Sequence, residues 1–245
     1  MNKIKILVCG SAGKMGSSII RLANGDEQVQ ITGAVDLGDD FDSPASKADV
    51  IVDFTTPAST IEHLSGAKKS KKAIVIGTTG FDATQLEKIK EASAIIPVVL
   101  SPNMSMGVNV LFKLAAEAAK AMPGYDVEIV ELHHNKKKDA PSGTALKLAQ
   151  IIALALKRAL DKVCVYGRKG DVGARKSEEI AVLSVRGGDI VGEHTVYFVG
   201  KGERLELTHR AQSRDTLAAG ALSAAKWLSK QKPGLYDMSD VLNLK

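Results

Sequence analysis

Aromatic side chains make up only 4% of this 245-residue chain, and Trp227 is its single tryptophan. That scarcity argues against a protein that reads nucleic acid by stacking bases on aromatic rings. Cysteine is nearly absent. Cys9 and Cys164 both fall inside strand-like runs and read as small buried hydrophobes in a reducing compartment, not as a disulfide framework. No apolar run approaches the length of a membrane span, and the first residues enter a strand directly. No secretory leader is therefore expected, and the cytoplasm is the expected compartment. Repeats and low-complexity segments are also missing. What remains is an ordinary soluble composition, 44% hydrophobic and 25% charged, with a net charge of +5. A basic surplus suits acidic small molecules as well as nucleic acid, and no nucleic-acid recognition motif accompanies it. The run Lys68-Lys69-Ser70-Lys71-Lys72 reads as the solvated end of a helix, where cations suit the dipole.

The amino-terminal residues carry the first positive signal. Lys3 to Cys9 is a short apolar run ended by Gly10-Ser11-Ala12-Gly13-Lys14-Met15-Gly16, after which Ile19, Ile20 and Ala23 recur at helical spacing up to Asn24-Gly25. Strand, glycine turn and helix open a dinucleotide-binding unit. Gly10 allows the tight turn, Gly13 lets backbone approach a pyrophosphate, and Gly16 permits close packing of helix on strand. A phosphate loop of the ATPase kind is excluded, because Met15 stands where Ser or Thr must hold magnesium. A second strand, Val29 to Val35, ends at Asp36, where a carboxylate accepts the ribose hydroxyls of a nicotinamide dinucleotide. Leu37 follows and cannot pair with a 2′-phosphate. NADH is therefore the expected preferred cofactor, with NADPH accepted through Lys14.

Further strands are expected at Val50–Phe54, Ala73–Ile76 and Ile96–Leu100, with helices at Ser59–Lys68 and Ala83–Ala92 between them. This alternation predicts a parallel sheet with right-handed crossovers, whose ligands gather at the carboxyl ends of the strands. Gly77, Thr78 and Thr79 and the run Ser101, Pro102, Asn103 and Met104 fall at such ends and are expected to line the cofactor cleft. Past residue 105 the pattern changes. A helix at Val108–Met122, a strand at Val127–Leu132 and a helix at Gly143–Leu160 are followed by strand-like runs at Val163–Tyr166, Ile180–Val185, Glu193–Val199 and Leu205–His209. Gly187-Gly188 and Gly200-Lys201-Gly202 read as hairpin turns between the last three. Arg214–Lys230 is expected to be helical, followed by a short tail. The fold class is thus α/β. A Rossmann-like parallel-sheet domain of residues 1–104 and 214–245 is expected beside an α+β domain of residues 105–213 with an open mixed sheet, for substrate binding and oligomerisation.

The most informative stretch lies within the second expected domain. His133-His134-Asn135-Lys136-Lys137-Lys138-Asp139-Ala140-Pro141-Ser142-Gly143-Thr144 places two imidazoles and three ammonium groups before an expected helix start. Imidazole and ammonium donate protons near neutral pH, and a Ser-Gly-Thr turn offers backbone N–H groups and a positive dipole end to an anion. The combination suits a small carboxylate substrate that must be protonated. Adjacent histidines rarely converge on one metal ion, and no third ligand has matching spacing, so no metal is expected.

Together these blocks, with Val52-Asp53-Phe54, Gly77-Thr78-Thr79-Gly80, Asn103 and Gly107-Val108-Asn109, make the chain resemble the dihydrodipicolinate (4-hydroxy-tetrahydrodipicolinate) reductases over essentially its whole length. The resemblance implies NADH- or NADPH-dependent reduction of a cyclic, unsaturated dicarboxylate in lysine and diaminopimelate biosynthesis. It implies His133 as proton donor and acceptor, Lys137 as the assisting donor, and His134 with Gly143 and Thr144 as holders of the substrate carboxylates. It also implies a homotetramer, and it leaves Lys136 without a role. An aldehyde-forming dehydrogenase of similar plan needs a loop cysteine, which neither Cys9 nor Cys164 provides. A nucleotide-sensing regulator has no need of His133 and Lys137 in one loop.

Overall fold

The computed structural model describes residues 3–245. It divides into two compact units, one formed by the chain up to Met106 together with Arg214–Lys245, the other by Gly107–Ser213. Among the described residues no helix is long and apolar enough to cross a membrane.

The first unit is built on strands β1 (Ile4–Cys9), β2 (Val29–Val35), β3 (Val50–Asp53), β4 (Ala73–Ile76) and β5 (Pro97–Leu100), connected by helices α1 (Lys14–Asn24), α2 (Asp42–Lys47), α3 (Pro57–Ser70) and α4 (Ala83–Ser93). Together with β11 (Gly234–Tyr236), the strands are parallel throughout, in the order β11-β5-β4-β3-β1-β2. β3 and β4 are buried at every position, as central strands covered on both faces must be. Their alternation divides the core in two. Ile6, Val8, Val52 and Val75 face one side, against Ile19 of α1 and the alanine-rich α8 (Asp215–Leu228). Leu7, Ile51, Ile74 and Ile76 face the other, against Leu64 of α3 and Ile89 of α4.

In the second unit the sheet order is β10-β9-β6-β8-β7, from strands β6 (Asp126–His133), β7 (Cys164–Val165), β8 (Ile180–Arg186), β9 (Gly192–Val199) and β10 (Arg204–Ala211). β6 lies at the centre, antiparallel to β9 and parallel to β8. Its alternate residues Val127, Ile129, Glu131 and His133 are buried and share one face. Helices α5 (Met106–Ala121) and α6 (Gly143–Ala155) cover the apolar end of that face, where Leu111, Leu148 and Ile152 meet Val127, Ile129 and Phe198. Phe198 is wholly buried, and truncation to alanine would cost about 3–5 kcal/mol.

Several sequence expectations need correction. β8 and β9 do not form a hairpin, because β6 lies between them. The Gly187-Gly188 turn leads instead along the end of β6, with Gly187 N–H donating to His133 O and Asn135 N–H to Gly188 O. Only β9 and β10 pair as a hairpin, across Gly200–Gly202. The helix expected to run to Leu160 stops at Ala155. Lys157 adopts a left-handed conformation, and a separate turn, α7 (Leu160–Val163), follows. The carboxyl-terminal tail supplies a sixth parallel strand, β11 (Gly234–Tyr236), and a capped turn, α9 (Met238–Val241), and the short α2 was not anticipated.

Candidate active site

At the carboxyl edge of the parallel sheet, the turn after β1 is shaped by glycine. Gly10 has φ +78°, and a Cβ there would lie 2.5 Å from Phe54 O. A Cβ on Gly16 would lie 2.1 Å from Gly10 O, so the first turn of α1 sits against the loop only because that position has no side chain. Lys14 and Met15 open α1, behind an N-cap at Gly13 that no side chain caps, so backbone N–H groups face outward. Asp36 Oδ2 accepts from Ser11 Oγ at 2.6 Å and from Ala12 N–H at 2.8 Å, which fixes its carboxylate over the turn. Leu37 beside it is 96% exposed. A cleft of about 990 Å³ opens here, and Asp36, Asp39, Asp40 and Glu62 on its wall outnumber Lys69, which pairs with Asp42 at 3.2 Å.

Not every residue expected at this edge offers its side chain. Thr78 is buried and its hydroxyl donates to Asp53 Oδ1 at 3.1 Å. Met104 packs in the core, and Ser101 Oγ donates to Asn103 O at 2.9 Å. Gly77 lies under the Phe54 ring, with Thr79 and Pro102 in the same loops at the ends of β4 and β5. Asp53, fully buried, accepts from Thr55 N–H and Oγ1, Thr60 Oγ1 and Thr78 Oγ1 on one oxygen and faces His63 Nδ1 at 2.6 Å on the other. Cys9, Asp53 and His63 place ligand-type atoms within 4.8 Å of one another, the one such trio among the described residues. The carboxylate is already saturated with donors. Burial, with Asp53 and Asp36 nearby, pushes the Cys9 thiol far up, so it stays protonated. Asp53, His63 and the three threonines form a hydrogen-bonded hub at the wall of the cleft, with the Cys9 thiol buried beside it. The ring of His63 stacks on Phe41 at 4.8 Å, a pair that no sequence pattern announced.

The second constellation sits at the end of β6. His133 is 8% exposed, and its Nδ1 lies 2.5 Å from Glu131 Oε2. Glu131 is wholly buried. It accepts from both terminal nitrogens of Arg186, at 2.8 and 2.7 Å, and from Ser142 N–H at 3.0 Å. Burial works against its ionisation, but the Arg186, His133 and Ser142 hydrogen bonds outweigh it and hold the carboxyl down to about 2. Burial is also the largest influence on His133 and lowers its proton affinity, partly offset by Glu131. His194 of β9 meets His133 edge-on at 5.2 Å, shares a 3.0 Å hydrogen bond with Ser142 Oγ, and is lowered by burial and by His133 to about 4. Ser142 caps α6 by accepting from Ala145 N–H, which places Gly143 and Thr144 in the first turn. Lys137 Nζ donates to both carboxylate oxygens of Asp139, at 2.8 and 2.9 Å. His134 is half-buried, and its carbonyl accepts from Lys137 N–H at 3.1 Å.

The structure thus brings His133, Lys137, Gly143 and Thr144 into one neighbourhood at the amino end of α6. Sequence reasoning missed Glu131, Arg186 and His194 as members and read Ser142 only as part of the turn that opens α6. Glu131 carried a usable signal, since two residues along a strand from His133 is the same face. Arg186 and His194 arrive through sheet register and carried none.

Family models match nearly the whole chain: the amino-terminal region of dihydrodipicolinate reductase over residues 4–104 and the carboxyl-terminal region over 107–242. The chain is 49% identical to a 4-hydroxy-tetrahydrodipicolinate reductase of Syntrophotalea carbinolica, covering 99% of this chain and 100% of that one. It is 48% identical to the Aquifex aeolicus enzyme of the same name, covering 98% and 99%. A dipicolinate-bound dihydrodipicolinate reductase from Paenisporosarcina sp. TG-14 superposes with a TM-score of 0.79 at 26% identity, covering 96% of this chain and 97% of that one.

Proposed function

This chain belongs to the dihydrodipicolinate reductase family, and on that premise we propose that it reduces 4-hydroxy-tetrahydrodipicolinate, by way of dehydrated dihydrodipicolinate, to tetrahydrodipicolinate in lysine and diaminopimelate biosynthesis. A pyridine nucleotide, when bound, supplies the hydride that the ring receives. The first unit fits such a group: the turn has no room for a Cβ at Gly10 or Gly16, and Asp36 stands where ribose hydroxyls would be received. Gly10 to Met15 and Asp36 would hold its adenosine and pyrophosphate portions. Gly77 to Thr79 and Ser101 to Met104 would line its nicotinamide side, largely through backbone.

The observation that carries the substrate half is the buried His133 imidazole beside the first turn of α6. Hydride delivery leaves an enamine-like substrate that must gain a proton. His133 gives it from Nε2, since Nδ1 is committed to Glu131. Burial makes the protonated ring a readier donor. Lys137 assists as a second donor and His134, Gly143 and Thr144 receive the carboxylates, with the positive end of α6 favouring their charge. NADH is the preferred reductant because the cleft wall beside Asp36 is acidic and Leu37 offers no cation to a 2′-phosphate.

The working form is a homotetramer in the cytoplasm. The outer face of the second sheet, away from α6, carries Val130, Leu132, Leu183 and Val185 in adjacent register, an apolar strip suited to another copy. The direct test follows NADH oxidation by absorbance, with substrate freshly generated by the preceding enzyme of the pathway. Turnover dependent on both partners is expected. NADH oxidation unaffected by that substrate would reject the proposal.

A further inference from the structure

The wholly buried Glu131 and the partly exposed Arg186 form an ion pair that proton delivery does not itself consume. Such a pair is a poor investment in stability, because apolar residues of similar size commonly hold a fold equally well. Its geometry is specific. The register of β6 against β8 sets Arg186 beside His133 and Ser184 beside Glu131. The guanidinium grips both oxygens of Glu131, and the same nitrogen that reaches Oε1 also donates to Asp139 O at 2.8 Å. Asp139 in turn holds Lys137 through its carboxylate. One guanidinium therefore touches both a partner of His133 and a partner of Lys137. A Cβ on Gly192 would lie 3.0 Å from His133 Nε2, so glycine at that position keeps a side chain from crowding the nitrogen.

We propose that Glu131, held in place by Arg186, is the positioning carboxylate of His133: it keeps a proton on Nδ1 and so presents Nε2 as the atom that exchanges a proton, while Arg186 sets the two proton donors in register. This rests on His133 being the proton donor. The charged and titratable groups facing the imidazole are Glu131 from β6, Arg186 from β8, His194 from β9 and Lys137 with Asp139 from the loop. Glu131 raises the proton affinity of the ring, whereas Arg186 and Lys137 lower it. Removing the carboxylate and removing the guanidinium must therefore move His133 in opposite directions, which loss of packing alone would not produce.

The test is a ¹⁵N NMR titration of the histidine rings in the full-length protein, with His133 assigned by its absence in H133Q, beside steady-state kinetics. In E131Q the His133 pKa falls, the Nδ1–H tautomer is no longer dominant, and kcat drops by about 10²-fold with KM for NADH unchanged. E131D recovers part of the rate. In R186M the His133 pKa rises, and this variant carries the test if E131Q does not fold. E131Q/H133Q is no slower than H133Q, because the carboxylate acts through the ring. Shifts of the same sign in E131Q and R186M, an unmoved His133 resonance, or a double variant slower than H133Q by the full E131Q factor would overturn the proposal. A wild-type rate in H133Q with opposite ring shifts would instead reject the proton-donor reading and leave the pairing intact.

Discussion

An imidazole buried to 8% exposure gives up its proton more readily than one in water, yet it must first be protonated to act. His133 meets both needs through a neighbouring carboxylate that it shares with a guanidinium. Replacing it, as in His133→Gln, is expected to lower kcat by ~10²–10⁴-fold, and Lys137→Met by a comparable factor, with NADH affinity nearly unchanged because the nucleotide cradle is elsewhere in the chain. Turnover near the wild-type rate in both would reduce the loop to a basic surface. Thr144→Val should raise KM for the dicarboxylate several-fold while leaving kcat close to wild type, since a donor near the carboxylates is lost and the α6 cap at Ser142 persists. An unchanged KM in a folded variant would move the carboxylates away from α6. At this scale the sequence was legible wherever function and spacing coincide. His133, Lys137 and the Ser-Gly-Thr turn lie within twelve residues, and Glu131 sits one strand period before His133. Arg186 lies 55 positions from Glu131, and nothing local to either residue announces their meeting.

Among the elements, the loop from β2 to α2 decides most about the cofactor. Asp36 is anchored by Ser11 and Ala12, while the next residue, Leu37, projects almost wholly into solvent. A cation placed there would meet a 2′-phosphate without disturbing the anchored carboxylate. Leu37→Arg is expected to raise kcat/KM for NADPH by about tenfold relative to NADH, with the gain shrinking as salt rises because an exposed pair is screened. Side-by-side measurements in the unaltered protein should favour NADH. A tenfold preference for NADPH would mean that another cation owns the phosphate site. The parallel strands were legible because continuous apolar runs such as Val50–Val52 and Ala73–Ile76 are long enough to cross a sheet buried on both faces. The placement of β8 was not. Gly187-Gly188 signals a turn, but a turn fixes only where the chain reverses, and β6 had already taken the position between β8 and β9. The early end of α6 was hidden for a related reason: Lys157 takes the left-handed conformation that glycine usually marks.

Across the whole molecule, two properties follow from how the second sheet divides its faces. The outer strip at Val130, Leu132, Leu183 and Val185 suits contact with another copy, so if the proposed homotetramer forms through it, Val185→Lys should give smaller species than the unaltered protein in sedimentation velocity, and unchanged sedimentation would place any contact elsewhere. The inner face carries titratable groups in a dry setting, which ties stability to pH. His194 has its pKa lowered from 6.5 to about 4, and its Nδ1 is buried without a partner. Between those values the unfolded chain takes up a proton that the folded chain refuses, so this contribution is complete above about pH 6.5 and declines as pH falls toward 4. Glu131 extends the loss further down. Its carboxyl is held from 4.5 to about 2, so its contribution is present above the higher value and disappears as pH falls through the lower. Buried His133 and half-buried His209, both lowered by desolvation, add to the upper part of the window. Thermal unfolding should therefore begin to lose midpoint temperature near pH 6.5, well before ordinary carboxylates titrate. His194→Gln keeps a hydrogen-bonding side chain toward Ser142 but cannot take up the proton. It should flatten the upper segment by on the order of 5 °C between pH 6.5 and 4.5, leaving the acid segment owed to Glu131 in place. Equal pH slopes in the variant and the unaltered protein would show that His194 titrates alike in the folded and unfolded chains, contrary to its buried setting.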